Sequence, residues 1–177
     1  MDSINRNQPE DNFESLHSDE AIAKIKELVD KAAICFFCTK LEQQPFATRP
    51  MSVQEVDEQG NLWFLSANDS HKNAEISNNP KVHLLFQGSA HSDFLSLYGS
   101  ATISTDKQKI KDLWNPILKT WFTEGIDDPR ITVIKVSPED GYYWDTKHNQ
   151  AVAFAKRLVG AALGKTLDDS IEGTLVP

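Results

Sequence analysis

Polar and apolar positions alternate in several different rhythms along this chain. Between residues 19 and 31, Ile22, Ile25, Leu28 and Val29 fall on one stripe at helical spacing, which predicts an amphipathic helix. Ser18 is placed to cap it, and Asp19 and Glu20 suit its positive end. Strand-like runs then follow one another closely. Residues 33–40 and 46–56 predict the first two strands, and Asp57-Glu58-Gln59-Gly60 a turn in which Gly60 takes a positive φ. Residues 61–67 return as a third strand. Asn68, Asp69 and Ser70 are helix-start residues, and a short helix runs to about residue 78 before Pro80 stops it. The apolar block within 81–87 predicts a buried fourth strand, and 94–104 a fifth.

Asp106 opens a helix of alternating charged and apolar residues that Pro116 ends, and Leu118, Trp121 and Phe122 continue an aromatic helical patch. Residues 130–136, rich in β-branched side chains, form a sixth strand, which 141–145 either extend or follow as a separate strand. A final helix is predicted over 152–163, with Gly164 as its stop. Six or so short strands, one close hairpin and peripheral helices predict a mainly β, antiparallel barrel with helices outside it. The expected division is a mobile arm at 1–17, one domain at 18–146, and a C-terminal helix and tail at 147–177 packed on that domain, the tail from Lys165 loosely held.

Bulk properties narrow the picture. With 177 residues and 40% hydrophobic content, the chain suits one ordinary globular domain. No apolar run is long enough to span a bilayer, and the first residues lack a basic-then-apolar leader, so a cytoplasmic protein with no membrane partner is expected. The net charge of −8 argues against nucleic acid, whose phosphates need a basic surface. A single ligand phosphate needs only one or two cations and a few amides.

Cys35 and Cys38 form a CxxC pair, but positions three apart on a strand point to opposite faces. No second cysteine pair exists, and His17, His71, His83, His91 and His148 show no zinc spacing, so packing thiols and no metal site are expected.

Two features suggest chemistry. At residues 68–72 a helix start offers free N–H groups and the Ser70 hydroxyl, with Lys72 in the first turn. A cation is mildly unfavourable there unless an anion intervenes. Capped helices with a surface lysine are common, so this feature alone leaves phosphate binding and plain capping both open. Arg49 lies in an irregular or edge stretch, because Pro50 removes a ladder donor. Alone it reads equally as a residue protecting a sheet edge. The hairpin at Gly60 would set it near the end of the third strand, by Ser66 and the helix start, so that two cations converge. Trp144 in GYYWD could stack on a ring or simply fill core. No nucleophile, catalytic triad, glycine-rich phosphate loop or paired carboxylate is evident.

The ordered set RPM on a strand, a DEQG turn, WFLS, SHK opening a helix, NNPKVHLLF, YGSA and a late YYWD resembles the pyridoxamine 5'-phosphate oxidase-like split-barrel family, in particular its general stress protein branch. The resemblance spans roughly residues 20–150. It implies a six-stranded antiparallel Greek-key split barrel and a homodimer holding FMN, or FAD in its place, in the cleft between subunits. Arg49 and Lys72 would then neutralise the phosphate and Ser70 would hydrogen-bond it. Pro50, Met51 and Ser52 would line the ring and ribityl chain through their backbone, and Phe64, Leu65 and Ser66 would add contacts from the next strand. Trp144 would approach from the partner subunit.

His71 stands where the oxidases proper have arginine, which implies a less positive pocket. Gln54 replaces their substrate-contacting lysine, and their late arginine–histidine motif is absent, which argues against pyridoxamine 5'-phosphate oxidation. The implied activity is a flavin-dependent oxidoreductase with NAD(P)H as electron donor. The alternatives are a non-catalytic flavin carrier or sensor, or a binder of heme or a deazaflavin on the same fold.

Overall fold

A computed structural model describes residues 12–90, 92–147 and 169–177. The predicted helix at 152–163 lies outside the described residues. Within them the chain runs β1 (Leu16–His17), α1 (Ser18–Ala32), β2 (Ile34–Thr39), β3 (Ala47–Ser52), β4 (Glu55–Val56), β5 (Leu62–Ala67), α2 (His71–Asn78), β6 (Lys81–Gln87), β7 (Phe94–Ser104), α3 (Lys107–Leu113), two 3-10 turns (Pro116–Thr120 and Gly125–Asp127), β8 (Ile131–Thr146) and β9 (Ser170–Val176).

The protein is mainly β with few helices, as expected, but it is not a six-stranded antiparallel barrel. Nine strands form one open sheet in the order β1-β9-β8-β7-β6-β2-β3, and β5 with β4 branches from β8. The sheet is mixed, because β1 pairs with β9 in parallel. β8 is the long member. Its first half, 131–136, pairs with β5 and its second half, 141–146, with β9, while β7 runs along its other edge. This makes 130–136 and 141–145 parts of one continuous strand.

Alternation explains which faces meet. Phe37, Leu62, Phe64, Leu84, Leu95 and Leu97 point into the main core, closed on one side by Ala21, Ile25 and Leu28 of α1. Phe37 and Phe64 meet edge to face, with centroids 5.3 Å apart. A second, smaller core lies on the other side of β5 and β8, where Leu65, Ile131 and Val133 pack under Ile110, Leu113, Leu118 and Phe122. Of the predicted aromatic patch, Leu118 and Phe122 therefore form the inner face of a small helical lobe, whereas Trp121 is exposed. Ser18 does not cap α1; His17 occupies that position and makes no side-chain cap bond.

The predicted strand at 46–56 is broken. β3 pairs with β2, and β4 pairs with β5. At the junction the Val53 N–H donates to Ala33 O at 3.0 Å and the Gln54 N–H to Trp63 O at 2.8 Å. One strand cannot serve two pairings that diverge, so the chain bends there. Gly60 closes the short hairpin at φ +78°, as its turn demands. The far edge of β3 thus carries no strand among the described residues, and neither does the edge of β5 away from β8 beyond Trp63.

Both ends of the described chain are tied into the sheet. Residues 12–17 were expected to be mobile, yet Phe13 bridges Glu172, and Leu16 and His17 pair with Leu175 and Val176. The tail, expected to be loosely held, is strand β9 from residue 170, with Leu175 fully buried. Gly173 makes this possible: a Cβ there would lie 1.8 Å from the Glu14 carbonyl oxygen.

Ion pairs pin the loops. Asp128, fully buried in the lobe, accepts from Arg130 Nη2 at 2.7 Å and from the Arg130 backbone N–H at 3.0 Å. The Arg130 hydrogen bonds hold its carboxyl down at about 2. Asp57 and Asp93 also lie below their ordinary value; burial alone would raise each, and their hydrogen bonds outweigh it. A carboxylate depressed in the folded state stabilises it above the unfolded pKa of about 4 and loses that contribution as pH falls through the folded value. Melting temperature should therefore be level above pH 5 and fall steadily from pH 4 to 2. A flat profile across that lower range in a thermal melt series would contradict the assignment.

Candidate functional site

The start of α2 is built from short polar side chains. Ser70 is its N-cap, and its Oγ accepts from the Asn73 N–H at 3.4 Å. Beneath it Ser66, Asn73 and Thr132 form a buried network. Ser66 Oγ donates to Asn73 Oδ1 at 2.7 Å, Asn73 Nδ2 to Thr132 Oγ1 at 2.9 Å, and Thr132 Oγ1 to Ser66 O at 2.9 Å. These bonds lock the helix start onto β5 and β8. Nothing local in the sequence marks Asn73 or Thr132, because they meet across 59 residues.

Lys72 stands over this platform with its Nζ 3.4 Å from Ser70 Oγ. It makes no salt bridge among the described residues. Burial, and secondarily the charge of Arg49, push its pKa below the ordinary lysine value, while Asp69 partly opposes this. A lysine depressed in the folded state opposes folding at neutral pH, because the unfolded chain binds its proton more readily. An anion beside Lys72 would remove that cost.

Arg49 arrives by a route different from the predicted one. The break at Val53 and Gln54 means that no hairpin lays β3 along β5. Arg49 instead crosses to α2, where its Nη2 donates to Glu75 Oε2 at 2.6 Å and its Nη1 to Thr39 Oγ1 at 2.6 Å. Thr39 Oγ1 itself donates to the same carboxylate oxygen at 2.5 Å, and Lys40 Nζ lies 3.4 Å from Oε1. Burial alone would raise the Glu75 pKa, but the bonds from Thr39 and Arg49 keep it below the ordinary glutamate range. Ser70 and Lys72 thus stand at the start of α2, and Arg49 binds further along it at Glu75, a carboxylate that the sequence reading missed. The one available signal was Glu75 three residues after Lys72, a spacing that shares a helix face.

The remaining candidates divide by face. Pro50 and Ser52 are exposed on β3, whereas Met51 between them packs against the main core. Phe64 is wholly buried against Phe37, Leu65 belongs to the second core, and the Ser66 hydroxyl faces inward, so this strand could offer a ligand little beyond its backbone. His71 is exposed at the first residue of α2. Gln54 folds back, its Nε2 donating to Ser52 O at 3.1 Å. Cys35 and Cys38 are both buried thiols in no disulfide, Cys38 Sγ donating to Thr48 Oγ1 at 3.5 Å, and burial pushes the Cys35 thiol up to about 12, as suits packing thiols.

Trp144 is not brought to this place. It pairs with Phe94 and Glu172 in the second half of β8, half-buried, its ring 4.6 Å from that of Tyr142. The α2 platform meets β8 at Thr132, roughly 40 Å away along the strand at about 3.3 Å per residue. On the Trp144 side of the sheet lies an apolar cavity of about 420 Å³ lined by Ile34, Phe36, Pro50, Leu85 and Phe94 among others. Phe36 and Ile34 are 59% and 55% exposed. An outward strand face of that character is unusual for a monomer.

The fold is an open, mainly β sheet with a capped polar helix start and an exposed apolar strand face. The chain belongs to the pyridoxamine 5'-phosphate oxidase like family, whose model matches residues 20–168. It is 32% identical over 82 residues to General stress protein 26 of Bacillus subtilis, covering 45% of this chain and 58% of that protein. It spans about three-fifths of the length of the curated relatives it matches. Among solved structures, a candidate general stress protein 26 from Jannaschia sp. CCS1 superposes with a TM-score of 0.74 at 18% identity, over 88% of this chain and 97% of that one. The general stress FMN/FAD binding protein of Xanthomonas citri superposes at 0.57 with 23% identity, over 68% and 84%. Among the described residues, no helix is long and apolar enough to cross a membrane.

Proposed function

We propose that this chain binds a flavin mononucleotide, or FAD in its place, at a cleft between two copies of itself, and serves as a flavin-dependent oxidoreductase with NAD(P)H as donor. The observation that carries the reading is Lys72. It is an ammonium half-withdrawn from water at a capped helix start, next to a second cation and without a carboxylate of its own. A phosphate ester fits that donor set: the α2 N–H groups, the Ser70 hydroxyl and the Lys72 charge. The free edges of β3 and β5 would give backbone groups to a flat heterocycle. The family, and the name of the Xanthomonas citri protein, support a flavin as its source.

The second copy is argued from the apolar face. Ile34, Phe36, Pro50 and Leu85 would be covered by the equivalent face of a partner, and Trp144 could then meet the flavin only from that partner. When bound, a flavin supplies its own electron-transfer chemistry. The chain's part is to hold the phosphate, present the strand edges and exclude water.

The test is an absorbance spectrum and a solution mass of protein purified with excess FMN. A bound yellow chromophore and a dimer are expected. Absence of both chromophore and any change in flavin fluorescence would sink the proposal, and a heme or deazaflavin would announce itself in the same spectrum. A carrier or sensor is the second reading, because the buried carboxylate on α2, Glu75, is committed to Thr39 and Arg49. Bound FMN that neither NADH nor NADPH reduces without oxygen would favour that reading.

A further inference from the structure

We infer that Glu75 is a built-in counter-anion that sets how strongly this end of the protein holds a phosphate ester. The inference rests on the flavin reading for the identity of the ester, but its physical basis is the arrangement of charges alone. Two cations, Arg49 and Lys40, flank Glu75 of α2, whose side chain is only 10% exposed, and Lys72 stands three residues before it on the same helix. Asp69 adds a second negative charge at the helix start, and Arg130 from the lobe lies close enough to interact with it.

The Glu75 carboxylate takes its hydrogen bonds from Arg49 and Thr39 on one oxygen and faces Lys40 with the other. Arg49 has five N–H donors, so two bonds leave it able to reach further. Its charge, however, is already matched at 2.6 Å by a carboxylate that solvent hardly screens. Lys72 is the cation left for an incoming anion. A phosphate that approaches Arg49 meets the Glu75 charge as well, and the two largely cancel. Counting cations therefore overstates the attraction, because Glu75 lowers it.

Glu75→Gln tests this, because the amide oxygen can still accept from Thr39 and Arg49 while the charge is gone. Titrated by flavin fluorescence at low salt, the variant should bind FMN of order tenfold more tightly than the unaltered chain, a gain that shrinks as salt is added. Its affinity for riboflavin, which has the ring but no phosphate, should change by less than twofold. Adding Arg49→Gln to it should remove the gain.

Unchanged or weaker FMN binding by Glu75→Gln would overturn the inference. So would an equal shift for riboflavin, or a gain that survives the second substitution. Should neither chain bind any flavin, the flavin reading falls but Glu75 is still tested. Inorganic phosphate should then raise the melting temperature of Glu75→Gln more than that of the unaltered chain, and equal rises would overturn it.

Discussion

Truncating Phe64 to alanine should cost the fold about 3–5 kcal/mol, the scale for removing a fully buried aromatic ring. Phe64 is 0% exposed, and it meets Phe37 edge to face across the main core. An edge-to-face pair contributes about 0.5–1.5 kcal/mol beyond burial, and that is lost too. The surroundings cannot collapse easily into the hole, because Phe64 sits on β5, whose backbone is held by β8 on one side. Denaturant unfolding followed by tryptophan fluorescence would show the midpoint falling with little change in slope. A loss under 1 kcal/mol would mean that the ring is not core.

Lys72→Met should act with opposite signs on two measurements. The substitution keeps most of the aliphatic stem and removes the charge. If FMN is bound as proposed, its affinity should weaken by about 1.5–3 kcal/mol, the value of a charge-assisted hydrogen bond, or roughly ten- to a hundredfold. In the protein without flavin the same change should raise the melting temperature, because burial and Arg49 both disfavour the ammonium that it removes. A site that gains stability when its functional group is deleted is one tuned for a ligand. Unchanged FMN affinity would remove Lys72 from the site, and a lower melting temperature would show that its charge is satisfied within the chain.

The parts of this molecule that were legible in the sequence are those whose causes are local. The stripe of Ile25, Leu28 and Val29, the Gly60 turn, the Ser70 cap and the apolar block of β6 each carry their reason within a few residues. The failures have the opposite character. β9 is a seven-residue strand that contains both Glu172 and Gly173, so its alternation of Ile171, Gly173 and Leu175 hardly registers as hydrophobic. Residues 12–17 have only Phe13 and Leu16 as apolar side chains and are held by backbone bonds to β9, which no side-chain pattern announces.

The bend at Val53 and Gln54 depends on which strands neighbour β3 and β5, and that is a property of the whole sheet. At the site, Arg49, Ser70 and Lys72 could be read as a cluster from residue type. Glu75 could not, since its partner Thr39 is 36 residues away and on another strand. The type of a charged residue is visible in a sequence; whether its charge is already matched is not.

The parallel pairing of β1 with β9 also has a bearing on how the protein is made. Ser15 and Thr174 meet across 159 residues, so the segment around β1 waits for that much chain to be made before it has a partner. Until then the second half of β8 keeps an open edge where β9 belongs, and the Leu175 position in the core is empty. Contacts so distant in sequence close late and slowly. The sheet is therefore finished only once β9 has been made, and a chain stalled or clipped before residue 170 would present its unpaired β8 edge to its neighbours.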